Sequence, residues 1–263
     1  MNSYSTLLFS LENSVATITL NRPTSANSMD MAMGKELLAV AQICEQDCNI
    51  RAVILTGGGN FFSAGGDLKA FSGFGDAIGE KLLELTDYLH AAISIFLRMR
   101  APLIVDVNGA AVGAGFSLAM AGDFVLASDN AKFAMAYTSA GLSPDGGASY
   151  FLPRIIGLRR AQQLMINNRK LTAAEALEWG LLTRVCAADQ LLPEAHALAQ
   201  SLANSATQAI GTVKQLLLTS FSNTPEAQMA LEGKNIAQLA SNGDGQEGIN
   251  AFLEKRAPAF KGK

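Results

Sequence analysis

The sequence contains little of what disulfide scaffolds and metal sites require. Among its 263 residues are only three cysteines, two histidines and one tryptophan. Cys44, Cys48 and Cys186 are odd in number and lack CxxC spacing, which argues against a disulfide framework and against a Cys/His metal site. The cysteine usage therefore predicts a reducing, cytoplasmic environment and no metal.

Strong charge and long apolar runs are missing as well. The formal net charge is −3 and no Lys/Arg cluster occurs, so nucleic acid is not expected as a partner. No apolar run reaches the roughly 18 residues needed to span a bilayer. The N-terminus has no arginine before Arg22, which argues against secretory and organellar signals. We expect a cytoplasmic protein that binds no membrane.

Apolar residues make up 49% of the chain and charged residues 16%, which predicts a large core. Four segments have the pattern of strands: 15–20, 52–56, 103–107 and 124–127. Because they alternate with amphipathic helical segments, the fold class is predicted to be α/β. From about residue 190 onwards only helices are predicted. The interpretation is a core at 1–190 followed by a helical region at 191–263.

Several helix ends are predicted from capping residues. Ser28 is the expected N-cap of the first helix. Thr172 and Glu175 have the spacing of a capping box, and Pro225 stands at a first helical position. Asp244 is expected to cap a helix over 247–256.

Two glycine-containing turns, at 64–67 and 113–115, each follow a strand and precede a helix. One interpretation is purely structural, since glycine permits tight turns. A dinucleotide site is disfavoured because Leu118 occupies the place of the third glycine of GxGxxG, and no P-loop motif occurs. The third interpretation is an oxyanion hole, in which two backbone N–H groups stabilise a thioester enolate.

The chain resembles the crotonase, or enoyl-CoA hydratase/isomerase, superfamily. The resemblance is carried, in this order, by the segments 20–23 (LNRP), 62–68 (FSAGGDL), 107–123, 141–147 (GLSPDGG), 152–154 (LPR), 176–181 (ALEWGL) and 252–260 (FLEKRAPAF). It implies a spiral of ββα units and a C-terminal helical layer used for trimerisation. It also implies a coenzyme A thioester substrate, no separate cofactor, and self-association as a trimer or a dimer of trimers.

The resemblance assigns roles residue by residue. The N–H groups of Gly66 and Ala114 would be the oxyanion donors. The coenzyme A would run past five residues, namely Ser25, Ala26, Ala64, Asp67 and Leu68, and its far end would meet Phe252 and Lys255. A solvated helix-face lysine is the alternative interpretation of Lys255.

The pattern is most similar to that of the single-aspartate acyl-CoA isomerases of the superfamily, including those acting on phenylacetate-pathway ring intermediates and on 3-enoyl-CoAs. Hydratases of the superfamily use two glutamates, and those positions hold Ser117 and Tyr137 here. Both are expected to face the acyl pocket. Asp145 would be the proton shuttle of an isomerase that converts a 3-enoyl-CoA to a 2-enoyl-CoA. The structural alternative for Asp145 is a helix cap or an Asx turn.

Three other functions stay open. Hydration is the first alternative. His90 stands where hydrolytic aryl-CoA dehalogenases of the superfamily have a histidine, which raises dehalogenase or thioesterase activity as the second; the competing interpretation places His90 on an ordinary helix flank. A non-catalytic acyl-CoA-binding protein is the third, because a fold does not by itself determine function.

Overall fold

The computed structural model describes residues 4–263, which form ten strands in two sheets and eleven α-helices. The strands are β1 Leu7–Glu12, β2 Val15–Leu20, β3 Ala52–Gly57, β4 Phe61–Ser63, β5 Leu103–Val107, β6 Ala110–Val112, β7 Phe124–Ser128, β8 Lys132–Ala134, β9 Leu171–Thr172 and β10 Arg184–Cys186. The larger sheet has the order β1-β2-β3-β5-β7-β10, and the smaller has the order β4-β6-β8-β9. Only β1–β2 and β8–β9 are antiparallel pairs.

The helices are α1 Met31–Gln46, α2 Leu68–Ser72, α3 Ile78–Arg98, α4 Ala114–Ala119, α5 Ala148–Ile156, α6 Leu158–Met165, α7 Ala173–Glu178, α8 Leu191–Ala203, α9 Thr207–Ser220, α10 Pro225–Ala240 and α11 Gly243–Leu253. Along the chain, β3 and β4 lead to α2 and α3, and β5 and β6 lead to α4. Each of these units places one strand in the large sheet, one in the small sheet and then a helix, whereas β1 and β2, which precede α1, both lie in the large sheet. This is the predicted spiral of ββα units.

The main core lies on one face of the large sheet, where α1, α3 and the small sheet cover it. Strands β3 and β5 are buried along their whole length, as expected for the apolar central strands of a parallel sheet. The opposite face packs against α8 through Leu191, Ala195 and Ala199. The predicted division after residue 190 therefore falls just before a helix that covers the sheet.

Helix α9 is fastened to the core by a buried ion pair. The Lys214 ammonium lies 2.7 Å from Asp123 Oδ2 and donates to the carbonyls of Phe96 and Ala101 at 2.9 and 3.0 Å. Burial lowers the pKa of Lys214, which Asp123 opposes. With every donor of the ammonium engaged, this buried charge is compensated.

Some of the predicted helix ends are confirmed and others are wrong. Thr172 forms the capping box with Glu175, and Thr224 caps α10 with Pro225 in its first turn. Ser28 is not the N-cap of α1. Asp30 is, because Met29 pairs with the 65–67 turn in an extended bridge and delays the start of the helix.

Asp244 is a second correction. It lies inside α11 rather than ahead of a helix at 247. Its carboxylate accepts the N–H groups of Lys261 and Gly262 at 2.7 and 2.8 Å. The side chain thereby holds the C-terminal tail, a long-range contact that outweighs local capping. Six strands were not predicted. Of these, β4, β6, β8, β9 and β10 have only two or three residues, too few to show periodicity, and β1 was missed although it has six.

No helix among residues 4–263 has the length and apolar character that a membrane span requires.

Candidate active site

The two glycine turns singled out in the sequence pack against each other. Gly65 has φ +90°, and a Cβ atom there would lie 2.7 Å from the Val112 carbonyl oxygen and 3.3 Å from the Ala114 nitrogen. Gly113 has φ +53° and approaches the Gly65 Cα in turn. Only glycine combines these backbone angles with so close an approach. The contact brings the start of α2 and the start of α4 to one point.

The backbone N–H groups of Gly66 and Ala114 are free at this point. Met29 donates to the Gly65 carbonyl at 2.6 Å and accepts from the Asp67 N–H at 2.9 Å, so the Gly66 N–H between them is turned away from this bridge. Ala114 is the first residue of α4, where a helix leaves N–H groups without intrahelical partners. Across residues 4–263, neither N–H finds a protein acceptor.

Both N–H groups border a cavity of about 310 Å³. The lining residues are Met29, Ala64, Gly66, Leu68, Phe71, Leu82, Leu85, Thr86, Leu89, Val112, Gly113, Ala114, Met135, Ala136, Tyr137, Ala140, Leu142, Ser143 and Asp145. Most are aliphatic, and Asp145 is the one carboxylate in this part of the described structure. The predicted oxyanion donors and the predicted proton shuttle therefore share one apolar cavity.

Asp145 is held by a chain of hydroxyl groups. The Tyr137 hydroxyl donates to Asp145 Oδ1 and lies 3.0 Å from the hydroxyl of the fully buried Ser117. Burial, and then the charge of Asp145, raise the pKa of Tyr137 above its ordinary value, so Tyr137 stays a donor. Helix α5 has Gly147 as its N-cap. The Asp145 side chain therefore caps no helix, contrary to the structural alternative.

His90 stands immediately behind Asp145. Its Nε2 atom accepts the Gly146 N–H at 3.0 Å and lies 3.6 Å from Asp145 Oδ2. The ring is about half exposed, at 47% of its side-chain surface. His90 thus occupies the flank of α3, as one interpretation expected, and also reaches the site carboxylate.

The remaining predicted positions differ in whether they line the cavity; Ser117, expected to face the acyl pocket, is fully buried beneath it and does not line it. Ala64 and the exposed Leu68 line it. Ser25 and Ala26 do not, but the Ala26 carbonyl accepts the Ala64 N–H at 2.9 Å, so their loop adjoins the lining.

The Asp67 carboxylate stabilises the local structure. It accepts the Ala70 N–H at 3.0 Å and pairs with Arg22 at 3.0 Å. Burial works to raise the pKa of Asp67, but these two partners hold it below its ordinary value.

Comparison with known proteins decides the family. Residues 10–263 match the family model described as enoyl-CoA hydratase/isomerase. The chain belongs to this family.

Individual members of the enoyl-CoA hydratase/isomerase family are similar along almost the whole chain. The 1,2-epoxyphenylacetyl-CoA isomerase of Escherichia coli K12 is 36% identical over 261 residues, which is 98% of each chain. A probable enoyl-CoA hydratase of Rhodobacter capsulatus is also 36% identical, over 99% of this chain and 100% of its own. A solved enoyl-CoA hydratase from Polaromonas sp. JS666 superposes with a TM-score of 0.92 at 34% identity, covering 97% of this chain and 99% of that one. The crotonase fold is thereby confirmed, and isomerases and hydratases are both among the relatives.

Phe252 and Lys255, which were predicted to touch coenzyme A, do not line the cavity of their own chain. Phe252, exposed at 83%, borders a separate groove together with Phe260 and Lys263 of the tail. Lys255 follows the end of α11 with φ +55° and does not line the cavity. Both assignments stay predictions.

Two scaffold residues of the site were not predicted. Arg22 bridges Asp30 and Asp67, both at 3.0 Å. Asn27, fully buried with φ +52°, donates to the carbonyls of Gly58 and Phe61 at 2.9 and 2.8 Å. Asn tolerates left-handed backbone angles better than most residues, and this property could have indicated a turn at Asn27.

Proposed function

We propose that the chain is an acyl-CoA isomerase that moves a double bond from the 3-enoyl to the 2-enoyl position. One observation carries the proposal: Asp145 is the single carboxylate lining the cavity that Gly66 and Ala114 border with free N–H groups. A relative with an isomerase name, 36% identical, supports it. Hydration usually needs a second acid or base, and Ser117 and Tyr137 supply hydroxyl groups instead.

The geometry suggests how the shift proceeds. With Asp145 Oδ1 held by Tyr137, Oδ2 is the oxygen free to take the proton from C2 of a 3-enoyl thioester. The electron pair of that C–H bond moves toward the thioester carbonyl, whose oxygen becomes negative. The N–H groups of Gly66 and Ala114 then stabilise the enolate, as preorganised donors do. Oδ2 returns a proton to C4, which completes the shift.

The surroundings of Asp145 support an apolar acyl group. Leu82, Leu85 and Leu89 present one face of α3 to the cavity, as their spacing in a helix allows. In this proposal the coenzyme A leaves past Ala64 and Leu68. Large apolar side chains exposed on α9 to α11 support self-association as a trimer or dimer of trimers: Leu217, Phe221, Met229, Ile236, Phe252 and Leu253.

Replacing Asp145 by Asn tests the proposal. Asn keeps the shape of the carboxyl group but cannot take a proton, so we expect kcat for a 3-enoyl-CoA to fall by at least about 10²-fold. The measurement is 2-enoyl-CoA formation, with the unfolding temperature measured beside it and expected to stay unchanged. Asp76→Asn, at an exposed aspartate, is the matched control. Near wild-type turnover by Asp145→Asn would contradict the assignment.

A panel of 3-enoyl-, 2-enoyl- and ring-derived CoA thioesters separates isomerisation from hydration. Faster addition of water to a 2-enoyl-CoA than isomerisation of a 3-enoyl-CoA would favour the hydratase. Binding of the thioesters without deuterium entering C2 or C4 from D2O would favour a non-catalytic acyl-CoA-binding protein.

Hydrolytic dehalogenation is a second candidate, which the 3.6 Å approach of His90 Nε2 to Asp145 Oδ2 favours. In that reaction Asp145 would act as nucleophile and His90 would activate water. Release of halide from a haloaryl-CoA, abolished in Asp145→Asn, would support this candidate.

A further inference from the structure

A second cavity lies behind the candidate active site. It measures about 660 Å³ and is bordered by α3, α5 and α9, with His90, Ser94 and Gly146 among its lining residues. Asp145 lines the substrate cavity and Gly146, the next residue, lines the second one. The chain at 145–146 is thus the partition between the two cavities.

Residue 146 of this partition has room and backbone angles for glycine only. Gly146 has φ +61°, and a Cβ atom there would lie 2.7 Å from Ser117 Cβ and 3.4 Å from Ile93 Cδ1. The imidazole of His90 approaches Asp145 directly, with Nε2 3.6 Å from Oδ2. The ring faces Asp145 Oδ2 on one side and is 47% exposed, while Ser94 and Arg98 beside it are exposed as well.

The Asp145 side chain is 23% exposed and lines the substrate cavity, so a bound acyl group covers it; its two oxygens then differ in their access to solvent protons. Oδ1 is bound by Tyr137, whose hydroxyl leads only to the fully buried Ser117. Oδ2 faces His90 Nε2, which carries no proton in this arrangement because it accepts the Gly146 N–H. An unprotonated imidazole nitrogen is a proton acceptor. The His90 ring lines the second cavity and thereby connects Asp145 Oδ2 to it.

We propose that His90 relays protons between Asp145 and solvent through the second cavity. The inference rests on the proposed isomerase function. The C2–H bond of the substrate breaks and the proton binds Asp145 Oδ2; the O–H bond then breaks and the proton binds His90 Nε2. The Gly146 N–H loses its acceptor, and the resulting imidazolium exchanges its N–H protons with water. The reverse transfer returns a solvent proton to Oδ2, which delivers it to C4 of the substrate.

The relay competes with direct return of the proton from Asp145 to C4, and this competition sets how much solvent hydrogen the product carries. Without it, Asp145 returns to C4 the proton that it took from C2. With it, part of the product carries solvent hydrogen. The ratio of deuterium incorporated to product formed in D2O therefore reports on His90 specifically, because a loss of packing alone would lower both quantities together.

The experiment measures this ratio by mass spectrometry of the 2-enoyl-CoA at low conversion of a 3-enoyl-CoA. In His90→Gln the amide oxygen can accept the Gly146 N–H but cannot take up a proton. We expect the ratio to fall by about tenfold, since a positioned proton-transfer group contributes about 10²-fold or more. Ser94→Ala, one helical turn along α3 and lining the same cavity, should keep the wild-type ratio. Imidazole added to His90→Ala should raise its ratio again.

Each outcome bears on the proposal. An unchanged ratio in His90→Gln, an equal fall in Ser94→Ala, or a wild-type enzyme that turns over without incorporating any deuterium would overturn the relay alone. Absence of both turnover and exchange with every 3-enoyl-CoA tested would overturn the proposed function and the relay with it.

Discussion

At the residue scale, the two residues that depart from the hydratase pattern form a hydrogen-bond network with Asp145. Ser117 and Tyr137 hold the positions where the family resemblance predicts the glutamates of a hydratase. Their hydroxyls lie within hydrogen-bond distance of each other, and that of Tyr137 donates to Asp145 Oδ1. Asp145, a single carboxylate with a fixed orientation, lines the cavity in place of two acidic side chains. The network explains why Tyr137, which lines the acyl pocket as expected, also acts on the carboxylate.

Removing the Tyr137 hydroxyl should therefore impair catalysis more than binding. Tyr137→Phe leaves Asp145 Oδ1 without its donor, and hydrogen bonds to charged groups contribute about 1.5–3 kcal/mol. We expect kcat for a 3-enoyl-CoA to fall by about tenfold to a hundredfold, because reacting groups out of line transfer protons slowly. KM should change little. The measurement is steady-state kinetics.

Tyr88→Phe is the control for this substitution, since Tyr88 lines neither the substrate cavity nor the second cavity. An unchanged kcat in Tyr137→Phe would show that Asp145 needs no orienting hydroxyl.

At the scale of elements, the site depends on two strand-to-helix turns in contact. The Ala114 N–H is free because α4 begins there, and the Gly66 N–H is free because it is turned away from the bridge with Met29. Their relative position is set by the close approach of Gly65 to the 112–114 turn. A side chain at Gly65 would push the Ala114 N–H away from its place.

Gly65→Ala should consequently lower both stability and activity. The positive φ alone costs about 1–3 kcal/mol, and the new Cβ would also meet the Val112 carbonyl oxygen at 2.7 Å. Gly75→Ala is the matched control, because Gly75 has φ +52° with no atom within 4 Å of the added Cβ. Denaturant unfolding should show a larger loss for Gly65→Ala, and only this variant should lose kcat. Equal behaviour of the two variants would contradict the contact argument.

At the scale of the whole molecule, one buried carboxyl group makes stability depend on pH. Asp106 on β5 is 1% exposed and its Oδ1 atom has no hydrogen-bond partner among the described residues. Burial raises the pKa of Asp106 to about 7 from the ordinary 3.8. Below pH 3.8 both the folded and the unfolded chain hold this proton.

Between these two values only the folded chain holds the proton, so the contribution of Asp106 to stability falls as the pH rises toward about 7. Above that pH the folded protein carries an uncompensated buried charge.

Asp106→Asn should therefore be more stable than the wild type at pH 8, and the advantage should shrink toward pH 4. The difference amounts to a few kcal/mol, since one pKa unit corresponds to about 1.4 kcal/mol. Denaturant unfolding at several pH values measures it, with Asp76→Asn reporting the effect of removing an exposed charge. A difference that does not vary with pH would refute the assignment to Asp106.

Whether a feature was predictable depended on how far apart its parts lie in the sequence. Composition, strand and helix periodicity and the capping box at Thr172 are local, and they were recovered from the residues alone. The family resemblance and Asp145 also came from short motifs. The start of α1 was missed because Met29 bonds to a turn more than 30 residues away.

The sequence by itself determined the layered α/β fold, the family and the choice of Asp145, Gly66 and Ala114 as candidate site residues. Only the tertiary structure decided how these groups meet: Tyr137 on one oxygen of Asp145, His90 facing the other, and Gly65 pressed against the second turn. Hydrogen bonds and close contacts act over a few ångströms, and only folding brings residues from distant segments within that range. Asp244 illustrates the same point, since its partners come from a tail 17 and 18 residues away.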